Sequence, residues 1–166
     1  MSFEQLLLSD ALQQGFGTSR YLKDSKQRSH ISKSKADMDS NAFYLKTGES
    51  NSRIYDWKTE RYLIADNLIY DFVLTLYDVD KGWAHLCRHF VPNGVLGEPQ
   101  MNEIRSMARG RRNVEARLIG LQNNQKYTFV SDICNVLSAN RVQLVEADLF
   151  GNEKRHIALD LKTGMS

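Results

Sequence analysis

The chain has 166 residues, of which 42% are hydrophobic and 25% are charged, and its formal net charge is +2. This composition is typical of one soluble globular domain and excludes collagen-like, fully disordered and membrane-spanning chains. The apolar runs are far shorter than the roughly 18 residues of a spanning helix, so we expect no membrane insertion. No secretion signal opens the sequence and it has only two cysteines, Cys87 and Cys134. We therefore expect a cytoplasmic protein with reduced thiols.

The N-terminal third differs in composition from the rest of the chain. Residues 2–5 have the spacing of a capping box, and apolar side chains recur every four residues as far as Ala11. This pattern predicts an amphipathic helix over residues 1–17, which either docks a partner or packs on the globular body. Residues 18–52 are mostly Ser, Lys, Arg and Asp, and such a segment buries too little apolar area to offset its ordering entropy. We expect a polar flexible linker there and a globular domain over residues 53–166.

The globular domain shows strand patterns interleaved with helix patterns. Strand patterns lie at residues 62–70, 71–77, 83–90, 114–121, 142–144 and 157–161, and helix patterns at residues 102–107 and 131–140. Strands dominate, so the sequence predicts an α+β fold with mixed or antiparallel sheets flanked by two or three helices.

Two regions of this domain carry a resemblance to a known family. Residues 145–155 (VEADLFGNEKR) and 160–164 (DLKTG) resemble the closing hairpin of the chemoreceptor glutamine deamidase (CheD) family. Residues 74–78 (LTLYD) and 82–85 (GWAH) resemble the strand, turn and Gly-x-x-His strand of the same family. The resemblance implies a CheD-like sandwich and a protein partner in chemotaxis or another signalling assembly.

The family's catalytic residues are largely absent from this chain. In the family, a Gly-Ser-Cys turn presents a thiolate that a histidine activates, and the thiolate attacks a glutamine carboxamide and releases ammonia. By this resemblance the nucleophile position falls on Asp71 and the family's threonine position on Ala65, so only His85 remains. A carboxylate is a poorer nucleophile toward an amide, so we expect the ordinary deamidase reaction to be lost. The same fold would place Asp71 and His85 face to face in a cleft.

His85, Cys87 and His89 alternate along one strand and therefore share one of its faces. Cys87 is a candidate relocated nucleophile, although it lies roughly 6.5–7 Å from His85 along an extended strand. The trio is also a candidate for zinc, but a structural zinc site draws its ligands from two separated pairs and the sequence has no second pair. The simpler interpretation is an inward-facing strand face, and we expect neither a metal nor a cofactor.

Five arginines lie within residues 105–117, with Glu115 the only acid among them. Arginine forks suit carboxylates and phosphates, so Arg109, Arg111 and Arg112 are candidates for binding an acidic protein surface. The cluster is also what a solvated helix end would show. A nucleic-acid partner is disfavoured because no aromatic side chains are interleaved with the arginines.

Two functions follow from these features. The first is a CheD-like protein-binding module in chemotaxis or signalling that has lost deamidase activity and binds a receptor or signalling protein. The second is a divergent amidohydrolase or glutamine deamidase that acts on a protein substrate through His85 with Cys87 or Asp71.

Overall fold

The computed structural model describes residues 19–22, 40–56, 58, 60–91, 96–121, 129–149 and 154–164. The elements in these ranges are β1 (Ser19–Leu22), β2 (Ala42–Tyr44), β3 (Ser50–Ile54), β4 (Tyr62–Leu68), β5 (Asp71–Asp78), β6 (Trp83–Phe90), α1 (Glu98–Ala108), β7 (Val114–Gly120), α2 (Phe129–Ala139), β8 (Gln143–Leu149) and β9 (Arg155–Asp160). The helix predicted over residues 1–17 lies outside the described residues.

The strands form two sheets. The larger sheet has six strands in the order β1-β8-β7-β5-β6-β3, and the smaller has three in the order β2-β4-β9. The larger sheet is antiparallel except for the parallel pair β7–β8, and helix α2 makes the crossover that a parallel pair requires. In the smaller sheet β2 runs parallel and β9 antiparallel to β4.

The larger sheet is the middle layer of three. Both helices cover one of its faces, where Phe72, Leu74 and Leu76 of β5 pack against the apolar side chains of the helices. The smaller sheet covers the other face and packs on Val73 and Tyr77 of the same strand. Strand β5 is therefore buried on both faces, which explains why residues 71–78 read as a nearly continuous apolar run instead of an alternating one.

The predicted fold class is confirmed: the protein is α+β, with mixed sheets and two helices in the described residues. Helix α1 begins earlier than the predicted 102, with Pro99 in its first turn, where the missing N–H costs no hydrogen bond. Met101, Ile104 and Ala108 place its apolar stripe on the sheet. None of the helices in the described part of the chain is both long and apolar enough to cross a membrane.

The prediction of a flexible linker over residues 18–52 is wrong for its described residues. Strands β1 and β2 lie inside this segment, and the proposed domain boundary at residue 53 cuts through β3. Strands β1 and β3 occupy the two edges of the larger sheet. Short, polar strands are common at sheet edges, where the neighbouring strand supplies the hydrogen bonds and little apolar area is needed. Composition alone therefore did not separate these strands from a linker.

Candidate functional site

Asp71 and His85 lie on opposite faces of the larger sheet. In the β5–β6 ladder Asp71 pairs with Phe90 and His85 pairs with Leu76. Paired residues share a face and successive residues alternate, so the five steps from Asp71 to Leu76 reverse the direction of the side chain. The expectation that Asp71 and His85 meet in a cleft is wrong, and no catalytic pair forms between them.

Asp71 is instead part of a buried ion pair. Its Oδ2 accepts a hydrogen bond from Arg88 Nε at 2.6 Å and another from Thr47 Oγ1 at 2.9 Å. Arg88 also donates from Nη1 to the carbonyl oxygen of Leu45 at 3.0 Å, so the guanidinium joins β5, β6 and the loop after β2. A carboxylate held in this way is not free to attack a substrate, and its role is structural.

Cys87 lies in the hydrophobic core between the larger sheet and the helices. Its Sγ is directed at the carbonyl oxygen of Leu74, 3.7 Å away. Burial raises the pKa of the Cys87 thiol strongly, because a thiolate would have to form without water. The interpretation of this strand face as inward packing is confirmed for Cys87, and burial opposes the formation of an activated thiolate at this position.

We expect iodoacetamide to leave Cys87 unmodified in the native protein at neutral pH. The thiol is inaccessible, and Cys134 is protected in the same way because burial raises its pKa to about 12. Mass spectrometry should find both thiols labelled only after unfolding in urea. A Cys87→Ala variant shows which of the two thiols carries a label. Rapid labelling of the native protein that is lost in this variant would contradict the conclusion that Cys87 is buried and unreactive.

His85 and His89 both lie close to Glu103 of α1, and we call these three residues the His–Glu cluster. Glu103 Oε1 lies 3.5 Å from His85 Nε2, and its Oε2 lies 3.7 Å from His89 Nε2. Both imidazole Nε2 atoms are buried without a hydrogen-bond partner in the described structure. Glu103 is about one quarter exposed and so connects the buried rings to solvent.

Burial keeps both histidines of the cluster neutral. It lowers the pKa of His85 to about 4, and Glu103 offsets only part of this effect. Burial also lowers the pKa of His89, again with a smaller opposing effect from Glu103. A buried imidazolium is costly when its counter-charge is distant, so the rings are uncharged at neutral pH.

The second nitrogen of the His85 ring contacts a side chain on the edge strand. His85 Nδ1 lies 2.6 Å from Ser52 Oγ, and Ser52 pairs with His85 in the β3–β6 ladder. The ring stacks on Trp83 with a centroid distance of 6.0 Å and an interplanar angle of 5°. His85 therefore has a hydroxyl on one side, a carboxylate on the other and an aromatic plane alongside.

No family model matches the chain, and no curated protein matches it. Among the described residues, no group of three or more His, Cys, Asp and Glu side chains is arranged to hold a metal ion.

The arginines of residues 105–117 are not one surface patch. Arg117 is completely buried between the acids Glu115 and Glu146. Arg111 is half-buried, with its Cζ 3.3 Å from the centroid of the Trp83 ring and its Nε donating to the carbonyl oxygen of Met107 at 2.9 Å.

Arg109 and Arg112 remain as exposed cations beside the ordered Arg111. Neither forms an ion pair with an acidic residue in the described structure. Arg109 follows the last residue of α1, where its backbone N–H donates to the carbonyl oxygen of Arg105 at 3.1 Å. Together Arg109, Arg111 and Arg112 form what we call the arginine corner, at the C-terminal end of α1.

Sequence reasoning missed three residues of these sites. Arg88 was not recognised as the partner of Asp71, and Glu103 was not recognised as the carboxylate between the histidines. Ser52 fell inside the predicted linker. All three act through contacts between strands and helices far apart in the chain, so no local spacing marks them.

Proposed function

We propose that this protein is a protein-binding module that engages an acidic surface of a receptor or signalling protein, without the cysteine chemistry of the CheD family that it resembles. The observation that carries the proposal is the arginine corner. Arg109 and Arg112 are exposed without acidic partners in the described structure, while Arg111 is held rigidly on Trp83. A preorganised guanidinium beside two free ones suits carboxylates, since less side-chain entropy is lost on binding.

The chemistry of the two candidate nucleophiles supports a binding role over deamidation. Asp71 is committed to Arg88 and Thr47, and the Cys87 thiol is buried with a raised pKa. A glutamine carboxamide would reach neither of them without opening the core. We therefore expect the protein to bind the class of partner that the resemblance implies without deamidating it.

Reversing the charges of Arg109 and Arg112 is expected to weaken binding to a purified chemoreceptor cytoplasmic fragment. We expect the double variant Arg109→Glu/Arg112→Glu to lose about tenfold or more in affinity, because attraction to the acidic surface becomes repulsion. Isothermal titration calorimetry measures the change. Arg111 is left intact because its stacking on Trp83 also supports the fold.

The matched control is the double variant Lys154→Glu/Lys162→Glu. It changes the net charge by the same amount at two exposed side chains that flank β9, in the smaller sheet. This variant should bind like the parent. An equal loss of affinity in both variants would show that net charge alone explains the effect. An unchanged affinity in the arginine variant would show that the arginine corner is not part of the binding surface.

A further inference from the structure

Ser52 presents a hydroxyl at an accessible edge of the larger sheet. Strand β3 pairs only with β6 among the described strands, and no described strand pairs with its other edge. Ser52 is exposed, whereas the His85 ring that it contacts is 2% exposed. Ser52 is therefore the solvent-facing end of a contact whose other end is fixed inside the protein.

The contacts of His85 define which nitrogen can accept a proton. Glu103 lies on the Nε2 side of the ring. We therefore assign the tautomer that carries its hydrogen on Nε2, because this N–H then points at the Glu103 carboxylate. Nδ1 then carries the lone pair and accepts the hydrogen bond that Ser52 Oγ donates at 2.6 Å. The order hydroxyl, imidazole, carboxylate is the arrangement that activates a serine nucleophile.

The ring is held in place on its remaining sides. Trp83 stacks against it, and Arg111 lies over the Trp83 ring, with its Cζ 3.3 Å from the ring centroid. The 3.5 Å separation between His85 Nε2 and Glu103 is long for a hydrogen bond, as is common in catalytic sites before a substrate binds. His85 is thus oriented by packing, and Glu103 lies on its Nε2 side, where its charge raises the pKa of the ring and offsets part of the effect of burial.

We propose that Ser52 is a nucleophile that accepts the acyl group of carboxylic esters, with His85 as its general base and Glu103 as the residue that orients and stabilises His85. This activity goes beyond the proposed binding function and does not depend on it. It also differs from the thiol chemistry that the family resemblance implies.

The reaction can be written with all atoms accounted for. Ser52 Oγ bonds to the ester carbonyl carbon while its proton moves to His85 Nδ1, giving a tetrahedral oxyanion. The bond to the alcohol oxygen then breaks, and the alcohol leaves with the proton from Nδ1. Water attacks the acyl-serine with the same proton relay, so that one ester and one water give one acid and one alcohol, and Ser52 is restored.

The edge of β3 that no described strand covers supplies a route for the substrate. An edge strand presents backbone N–H groups to solvent, and such groups are the usual donors to an oxyanion. Because Ser52 is an exposed residue, with its Oγ between His85 Nδ1 and Met107 Sδ 3.8 Å away, small or extended acyl chains approach it without a rearrangement of the core. An ester is a more reactive acyl donor than an amide, which matches a site this open to water.

Fluorophosphonate labelling of the full chain tests the nucleophile. The serine oxygen displaces fluoride from phosphorus, and we expect one adduct per chain, mapped by mass spectrometry to Ser52. The variant Ser52→Ala should not be labelled, whereas Ser50→Ala, at an exposed serine on the same side of the same strand, should be labelled like the parent. No adduct in the parent, or equal labelling of Ser52→Ala, would overturn the proposal.

The pH profile and two further variants test the base. The labelling rate should rise as the neutral form of His85 appears, with a midpoint at its pKa of about 4, and stay level above about pH 6. An unassisted hydroxyl would instead react faster with each increase in pH. The charged or titratable groups that act on the ring are Glu103 of α1, His89 of β6 and Arg111 beyond α1.

His85→Gln is expected to slow labelling by about 100-fold or more, the usual contribution of a general base. Since this variant alters a buried ring, Glu103→Gln at a partly exposed position provides the second test. It should slow labelling by about tenfold and move the pH midpoint downward, because Glu103 raises the pKa of His85. An unchanged rate and midpoint in Glu103→Gln would overturn the assigned role of Glu103, and an unchanged rate in His85→Gln would overturn the proposal.

Discussion

Replacing Asp71 by alanine is expected to lower the free energy of unfolding by about 3–5 kcal/mol, the usual effect of removing one partner of a buried ion pair. Arg88 would remain buried at 11% side-chain exposure without its carboxylate, and Thr47 would lose the acceptor of its hydrogen bond. Urea denaturation followed by circular dichroism measures the change. The size of the effect reflects a charge left without a counter-charge more than the strength of the bond itself.

Two controls distinguish this structural role from a catalytic one. Glu98→Ala breaks the exposed pair with Arg105, at 3.2 Å, and should cost about 1 kcal/mol or less. The double variant Asp71→Ala/Arg88→Met removes both charges and should recover much of the lost stability, because apolar side chains often replace a buried pair without loss. A stable Asp71→Ala protein, or a double variant no better than the single, would contradict the role assigned to the pair.

The stability of the protein is expected to fall by about 3 kcal/mol through His85 alone as the pH drops from 6.5 to about 4. Above pH 6.5 the ring is neutral in both states and the full stability is present. Between 6.5 and 4 the unfolded chain binds a proton that the folded protein excludes, so acid favours unfolding. His89 acts in the same direction, because burial lowers its pKa as well.

Urea denaturation at several pH values between 6.5 and 4.5 measures this dependence. His85→Gln should have a shallower slope than the parent, whatever its stability at neutral pH. Identical slopes in His85→Gln and the parent would show that His85 is not held neutral by burial.

The central layer of the fold was predictable because its residues carry strong local signals. Strand β5 is dense in β-branched and aromatic residues, and the turn after it contains Gly82 at φ +62°. Helix α2 shows Ile133, Cys134 and Leu137 on one face. These patterns match the structure to within a few residues, since burial on one side or both is what created them.

The edge strands were not predictable from composition. Strand β3 has the sequence SNSRI with alternating partial exposure, which is indistinguishable from a polar loop when read alone. It is ordered by its register with β6, from Ser50 opposite Cys87 to Ile54 opposite Trp83. A strand stabilised by its neighbour leaves little trace in its own sequence.

The candidate sites were predictable only in part, for the same reason. Alternation correctly placed His85, Cys87 and His89 on one face of β6. The pairing register that sends Asp71 to the opposite face depends on the turn between β5 and β6, and the family resemblance does not fix it. Ser52 and Glu103 reach His85 from other elements, and only the assembled sheet and helix bring them there.

Native mass spectrometry of the chain mixed with a purified chemoreceptor cytoplasmic fragment distinguishes binding from deamidation, because one spectrum reports both the complex and the mass of the receptor fragment. We expect a complex that the Arg109→Glu/Arg112→Glu variant fails to form, with the mass of the receptor fragment unchanged. A receptor fragment that gains the mass of deamidation, with the gain abolished by Cys87→Ala or by Asp71→Asn in a folded variant, would contradict a binding role without deamidation. Absence of any complex would contradict the binding function itself.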